Sequence, residues 1–233
     1  MRTEKWQMYL GTLQGHPSIC QSSHTVESMN FITNYIPPED FPRMLDIGCG
    51  EGLEADVLRK LGYDVVGLTQ GKVNVEYAQK YHPDVKILEM DMHDLKFPSE
   101  SFDAAYLNHV FEHSFAPFFL LVELYCVLKD GGRVWIATPH FKEKDDPTVG
   151  ESNLISHHHP NMLSHNLFCQ FFEKTGFKVL QDEFKEGTPY FDNPYLLEKQ
   201  SIDVLHSDVR TAVLKRKELF GGKNEIDKRV ISQ

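Results

Sequence analysis

From residue 43 onward, short continuous apolar runs alternate with stretches whose apolar positions recur at helical spacing. Arg43 to Ile47 is a short run closed by Gly48, and Leu53, Val57, Leu58 and Leu61 then mark one face of a helix that stops at Gly62. Val65 to Leu68 predicts a second buried strand and Val73 to Tyr81 a helix closed by Pro83. Val85 to Met90 and Phe102 to Leu107 predict two more strands, and Leu120 to Leu128 a helix stopped by Asp130-Gly131-Gly132. Arg133 to Thr138 reads as a fifth strand bounded by Pro139. Near-continuous apolar strands separated by helices predict an α/β, doubly wound, mostly parallel sheet with helices on both faces.

Beyond Pro139 the pattern changes. The stretch 141–163 is polar and turn-rich with no period, the signature of a lid-like insertion near a site. Ser164 is an N-cap candidate for a helix through Leu167, Phe168, Phe171 and Phe172 that ends at Gly176, and Phe177 to Phe184 predicts a sixth strand. Residues 190–220 read as mixed to helical, and Lys228 to Ile231 as a last short strand. The division expected is an N-terminal helical and loop segment (1–40), a core (41–189) carrying the insertion, and a C-terminal extension (190–233) that completes the domain.

A chain of 233 residues fits one hydrophobic core, and 41% hydrophobic residues suffice to fill it. Lys and Arg number 24 against 34 Asp and Glu, so the formal charge of −10 repels polyphosphate and makes nucleic acid a poor partner. Four scattered cysteines suggest neither a disulfide framework nor a cysteine zinc site. Glu4, Lys5 and Gln7 interrupt the N-terminus where a secretion signal needs an apolar stretch, and Pro117 and Glu123 interrupt the most apolar run. A cytoplasmic protein with no membrane span is expected.

The chemistry concentrates in Leu45-Asp46-Ile47-Gly48-Cys49-Gly50-Glu51-Gly52, at the first strand-to-helix junction. Glycines there permit a tight turn and a close ligand, with free N–H groups of the helix N-terminus expected to face it. The spacing is G-x-G-x-G and not the G-x-G-x-x-G of dinucleotide sites, so a pyrophosphate is not the obvious ligand. Together with Asp91-Met92-His93-Asp94-Leu95 and Phe97-Pro98, Phe102 to Ala105 leading into Asn108-His109-Val110-Phe111-Glu112-His113, and Leu128 to Pro139, this turn resembles the class I S-adenosylmethionine-dependent methyltransferases, specifically their small-molecule enzymes. Four motifs stand in the family's order, and the resemblance runs from 43 to 184.

The resemblance implies a seven-stranded Rossmann-like sheet and S-adenosylmethionine as cofactor, with S-adenosylhomocysteine as product. It implies cofactor contacts from Asp46, Gly48, Cys49, Gly50, Gly52 and Asn108, from Asp91, Met92 and His93 around the adenine, and from Thr69 and Gln70 at the ribose. One departure stands out: the family ends its second strand in Asp or Glu, which accepts from the ribose hydroxyls, whereas this chain has Thr69-Gln70. Charge-assisted hydrogen bonds are about twice as strong as neutral ones, so weaker cofactor binding, substitution by Gln70, or a catalytically silent binder is implied.

Histidine is abundant at 12 residues. His109, His113, His140, His158 and His159 fall where loops meet the carboxyl ends of the strands, the ligand side of an open α/β sheet. His109 to His113 spells H-x-x-E-H, an inverted zinc-peptidase pattern, so a metal-dependent hydrolase is a rival. Pro117 breaks the helix such a site needs, and the same string fits the family's loop after its fourth strand, so no metal is expected. Methyl transfer is an in-line displacement that depends mainly on positioning. A hydroxyl acceptor would gain from a base, for which His159, then His113, then His140 are the candidates, and an amine acceptor from a polar clamp such as Asn108. The expected partner is a small-molecule methyl acceptor.

Overall fold

Residues 32–138, 163, 165–182 and 194–220 are described by a computed structural model. Strand β1 (Arg43–Ile47) leads through the glycine turn into α1 (Leu53–Lys60), then β2 (Asp64–Thr69), α2 (Lys72–Tyr81), β3 (Lys86–Glu89) and β4 (Phe102–Asn108). A 3-10 turn at Phe111–His113 precedes α3 (Pro117–Val127) and β5 (Leu128–Ala137). Helix α4 (His165–Lys174), β6 (Phe177–Asp182), β7 (Pro194–Lys199), a 3-10 turn at Ile202–Val204 and α5 (Ser207–Phe220) follow.

The seven strands form one sheet in the order β3-β2-β1-β4-β5-β7-β6. The first five pair in parallel, and β7 runs antiparallel to both β5 and β6. The doubly wound, mostly parallel sheet is therefore present, but its seventh strand is Pro194–Lys199, within the stretch read as mixed to helical. Lys228 to Ile231 lies outside the described residues. The Asp130-Gly131-Gly132 stop lies inside β5, where it bulges out between the Phe102/Leu128 and Ala104/Arg133 pairs.

Side chains alternate across the strands and build a core on each face. On one face Met44, Val65, Ile87 and Trp135 pack with Ala55 and Leu58 of α1 and Ala78 of α2. On the other, Leu45, Leu68, Leu107 and Ile136 pack with α3, with Phe168 and Phe172 of α4, and with Val209 and Val213 of α5. Helix α3 starts with Pro117 at its first turn, where the missing N–H costs no helical bond, and every residue from Leu120 to Val127 is buried. This explains why its sequence, Glu123 apart, is apolar all round and not amphipathic. The strand arrangement brings the carboxyl ends of β1, β2, β3 and β4 to one edge, the position open α/β sheets use for ligands.

Candidate active site

The turn after β1 is held from below. Gly48 and Cys49 both donate their N–H to the Leu68 carbonyl of β2, at 2.8 and 2.9 Å, and Gly52 donates to Cys49 at 2.8 Å. These three donors are engaged within the protein, so none of them is among the free N–H groups expected to face a ligand. Gly48 has φ +78°, and a β-carbon there would stand 2.3 Å from Val110 Cγ2 of the loop after β4. Its glycine is required by that loop as much as by a ligand. Gly50, at φ +52°, would direct a β-carbon into open space.

Asp46, next to the end of β1, is buried, and its Oδ2 has no hydrogen-bond partner. Burial first, and then the neighbouring Glu54 carboxylate, push its pKa well above the usual carboxylate range. Glu54 in the first turn of α1 accepts from the Asn108 side-chain amide at 2.8 Å, joining the glycine turn to the end of β4. Sequence reasoning passed over Glu54, because an acid in a first helical turn is explained by the helix dipole alone. Cys49 is held as a thiol, its pKa raised by burial and by Asp46.

At the end of β2, Thr69 is buried, and its Oγ1 accepts from the Asn74 amide at 3.3 Å. The same amide reaches the Gln70 carbonyl at 3.2 Å, so Asn74 caps the neutral Thr69-Gln70 corner. After β3, Asp91 Oδ1 accepts from the His93 backbone N–H at 2.9 Å and stands 2.9 Å from His93 Nδ1. His93 Nε2 lies 2.7 Å from Ser114 Oγ. Met92 is half-buried against the core.

A buried clamp backs this loop. Leu95 N–H donates to Glu123 Oε2 of α3 at 2.9 Å, and Arg216 of α5 donates to Glu123 Oε2 at 3.1 Å, to the Leu95 carbonyl at 2.7 Å and to the Phe97 carbonyl at 3.2 Å. Neither side chain has a motif that could have announced it.

The H-x-x-E-H string follows β4 and ends in the 3-10 turn at Phe111–His113. His109 has φ +51°, and its Nδ1 lies 3.4 Å from Glu112 Oε1, while His113 Nε2 lies 4.0 Å from the same oxygen. Glu112 is buried and accepts from the Thr138 hydroxyl at 3.2 Å. A 3-10 turn does not stack residues 109 and 113 as an α-helix would, and both imidazoles turn to one carboxylate. Among the described residues no group of three or more His, Cys, Asp or Glu is placed to hold a metal. His140, His158 and His159, with most of the insertion, lie outside the described residues.

A sulfonium amino acid joined to adenosine suits these residues: it is cationic, and the buried Asp46, with the Glu54 carboxylate nearby, offers an orphaned carboxylate oxygen beside the glycine turn. A methyltransferase-domain family model matches residues 45–136. A sterol 24-C-methyltransferase of Candida albicans is 27% identical over 168 residues, 66% of this chain and 45% of that protein. A ubiquinone biosynthesis O-methyltransferase of Roseobacter denitrificans is 36% identical over 102 residues, 41% of each chain. The chain thus spans about half the length, or less, of the curated relatives it matches. Among solved structures, the 1,6-didemethyltoxoflavin-N1-methyltransferase of Burkholderia thailandensis, with its substrate and S-adenosylhomocysteine bound, shares the fold. It matches with a TM-score of 0.65 at 12% identity, covering 86% of this chain and 92% of that one. No helix among the described residues is long and apolar enough to cross a membrane.

Proposed function

We propose that this chain, whose residues 45–136 match a methyltransferase-domain family model, is a class I S-adenosylmethionine-dependent methyltransferase that transfers a methyl group to a hydroxyl or amine of a small molecule. The observation that carries this reading is the buried, partly unpartnered Asp46 carboxylate beside Glu54 at the glycine turn. Burying an uncompensated acid is costly, and a cationic ligand is what offsets that cost. In this reading Asp46, Gly48, Cys49, Gly50, Gly52 and Asn108 surround the amino-acid end of the cofactor. Thr69 and Gln70 take the ribose, and Asp91, Met92 and His93 flank the adenine.

When bound, S-adenosylmethionine supplies an electrophilic methyl group. The chain's own residues align the acceptor and, for a hydroxyl, take its proton. Of the candidate bases His113, His140 and His159, His113 is exposed, with its Nε2 4.0 Å from the buried Glu112 carboxylate. The free thiols of Cys49, Cys126 and Cys169 suit a reducing, cytoplasmic setting.

A carbon acceptor is the second reading, favoured by the sterol 24-C-methyltransferase likeness over 66% of the chain. The test is transfer of isotope-labelled methyl from S-adenosylmethionine to a panel of phenols, amines and enolisable or alkene carbons, with S-adenosylhomocysteine release measured alongside. Binding of S-adenosylhomocysteine without turnover on any class would leave a silent binder, and no binding at all would refute the reading.

A further inference from the structure

Ser114 Oγ, His93 and Asp91 stand in one hydrogen-bonded line, although Ser114 is 21 residues from His93 in sequence. Asp91, acceptor-only when ionised, fixes the imidazole proton on Nδ1, so Nε2 accepts from the Ser114 hydroxyl. The Ser114 oxygen in turn accepts from the Ala116 N–H at 3.3 Å. The order Ser-His-Asp resembles a hydrolytic triad, but Ser114 is fully buried and its oxygen is already engaged, so it cannot attack a carbonyl.

What the line joins is more informative. Asp91 and His93 belong to the loop after β3, and Ser114 closes the 3-10 turn by donating its N–H to Phe111 at 3.1 Å, directly after His113. We propose that His93 is a positioning residue that ties the loop proposed to hold adenine to the turn carrying His109, Glu112 and His113, so that cofactor binding sets the geometry of the acceptor side. The inference rests on the methyl-transfer reading. The side chains of His93 and Asp91 are 8% and 13% exposed, so their bonds are poorly screened by water and strong enough to transmit a shift of the loop. An imidazole is a rigid planar ring whose two nitrogens direct their bonds outward at a fixed, wide angle. It relays a displacement of Asp91 to Ser114 where a flexible side chain would absorb it.

The experiment needs no acceptor. Histidine-labelled protein is titrated with S-adenosylhomocysteine while imidazole resonances are followed by NMR and affinity by calorimetry. In the wild type, the His93 and His113 signals both shift on binding. Ser114→Ala cuts the tie at a residue outside the proposed cofactor contacts, so affinity should stay within about twofold while the His113 shift is lost. Ser114→Cys, close in size but a weak donor, repeats the test should the alanine variant fold poorly, and its His113 shift should be diminished. Ser114→Ala protein that binds S-adenosylhomocysteine and keeps the full His113 shift overturns the tie while leaving the methyl-transfer reading intact. Wild-type protein that does not bind it overturns that reading and this inference with it.

Discussion

Replacing Gly48 with alanine separates two roles that the glycine turn combines. The residue sits at φ +78°, where an L side chain costs about 1 to 2 kcal/mol. Its new β-carbon would also lie 2.3 and 2.9 Å from the two γ-carbons of Val110. Optimal carbon contacts lie near ~3.5 to 4.0 Å, so Val110 must move by about 1 Å or more. Overpacking of that kind costs about 1 to 3 kcal/mol. Gly48→Ala should therefore destabilise the protein by about 2 to 5 kcal/mol. Gly50→Ala, with φ +52° and nothing within 4 Å of the β-carbon, should cost only the conformational part, about 1 to 2 kcal/mol. Adding Val110→Ala to Gly48→Ala removes both clashing carbons and should recover the packing share but not the backbone share. Urea unfolding with a shared slope reads all four proteins. Equal losses for the two glycine variants, or no recovery in the double variant, would refute the account of why this turn needs glycine.

Asp46→Asn should make the ligand-free protein more stable near neutral pH and weaken S-adenosylhomocysteine binding. The folded-state pKa of Asp46 is raised, so the penalty is absent below the unfolded value of about 4 and grows as pH rises toward the folded one; denaturant titrations from acid to neutral pH should show the wild type losing ground to the variant. Thr69→Asp should tighten S-adenosylhomocysteine by about 1 to 2 kcal/mol by giving the ribose diol a carboxylate, read by calorimetry; weaker binding would mean that Thr69 and Asn74 are fitted to another group. Arg216→Ala should cost about 3 to 5 kcal/mol in urea unfolding, since Glu123 and two carbonyls lose their buried partner, and a loss under about 1 kcal/mol would contradict the clamp. With a hydroxyl acceptor, replacing the true base among His113, His140 and His159 by alanine should lower turnover by ~10² to 10⁴ with S-adenosylhomocysteine affinity nearly unchanged. Wild-type levels in all three variants would leave catalysis to positioning.

The parallel half of the sheet was legible because each buried strand is a short apolar run closed by a turn residue, as Arg43 to Ile47 is closed by Gly48. Strand β7 was not. Its sequence, Pro-Tyr-Leu-Leu-Glu-Lys, starts on a residue that shuns sheets and ends on two charges. It is a strand because β5 and β6 leave a gap to fill, and because Lys199 finds the Leu128 carbonyl at 2.8 Å and Asp130 at 2.9 Å in an otherwise apolar site. The glycine turn was visible as a motif, but the use of its N–H groups by Leu68 depends on a neighbouring strand that no local pattern announces. The H-x-x-E-H string was visible too, and only the 3-10 geometry decides which way its imidazoles turn. Asp91, His93 and Ser114 escaped as a set because pairing across loops leaves no periodicity to find.

The clamp of Arg216 on the loop at 95–97 bears on how such a chain can change through descent. The methyltransferase-domain match ends at residue 136, yet the loop inside it is finished by a guanidinium eighty residues further on. A gene fusion or domain swap cut at the homology boundary would carry the signature motifs and leave the Leu95 and Phe97 carbonyls facing a hole. The unit that must be inherited whole is thus longer than the matched methyltransferase domain. Positions 123 and 216 should drift together or not at all, because the loop offers them only its main-chain groups at 95 and 97.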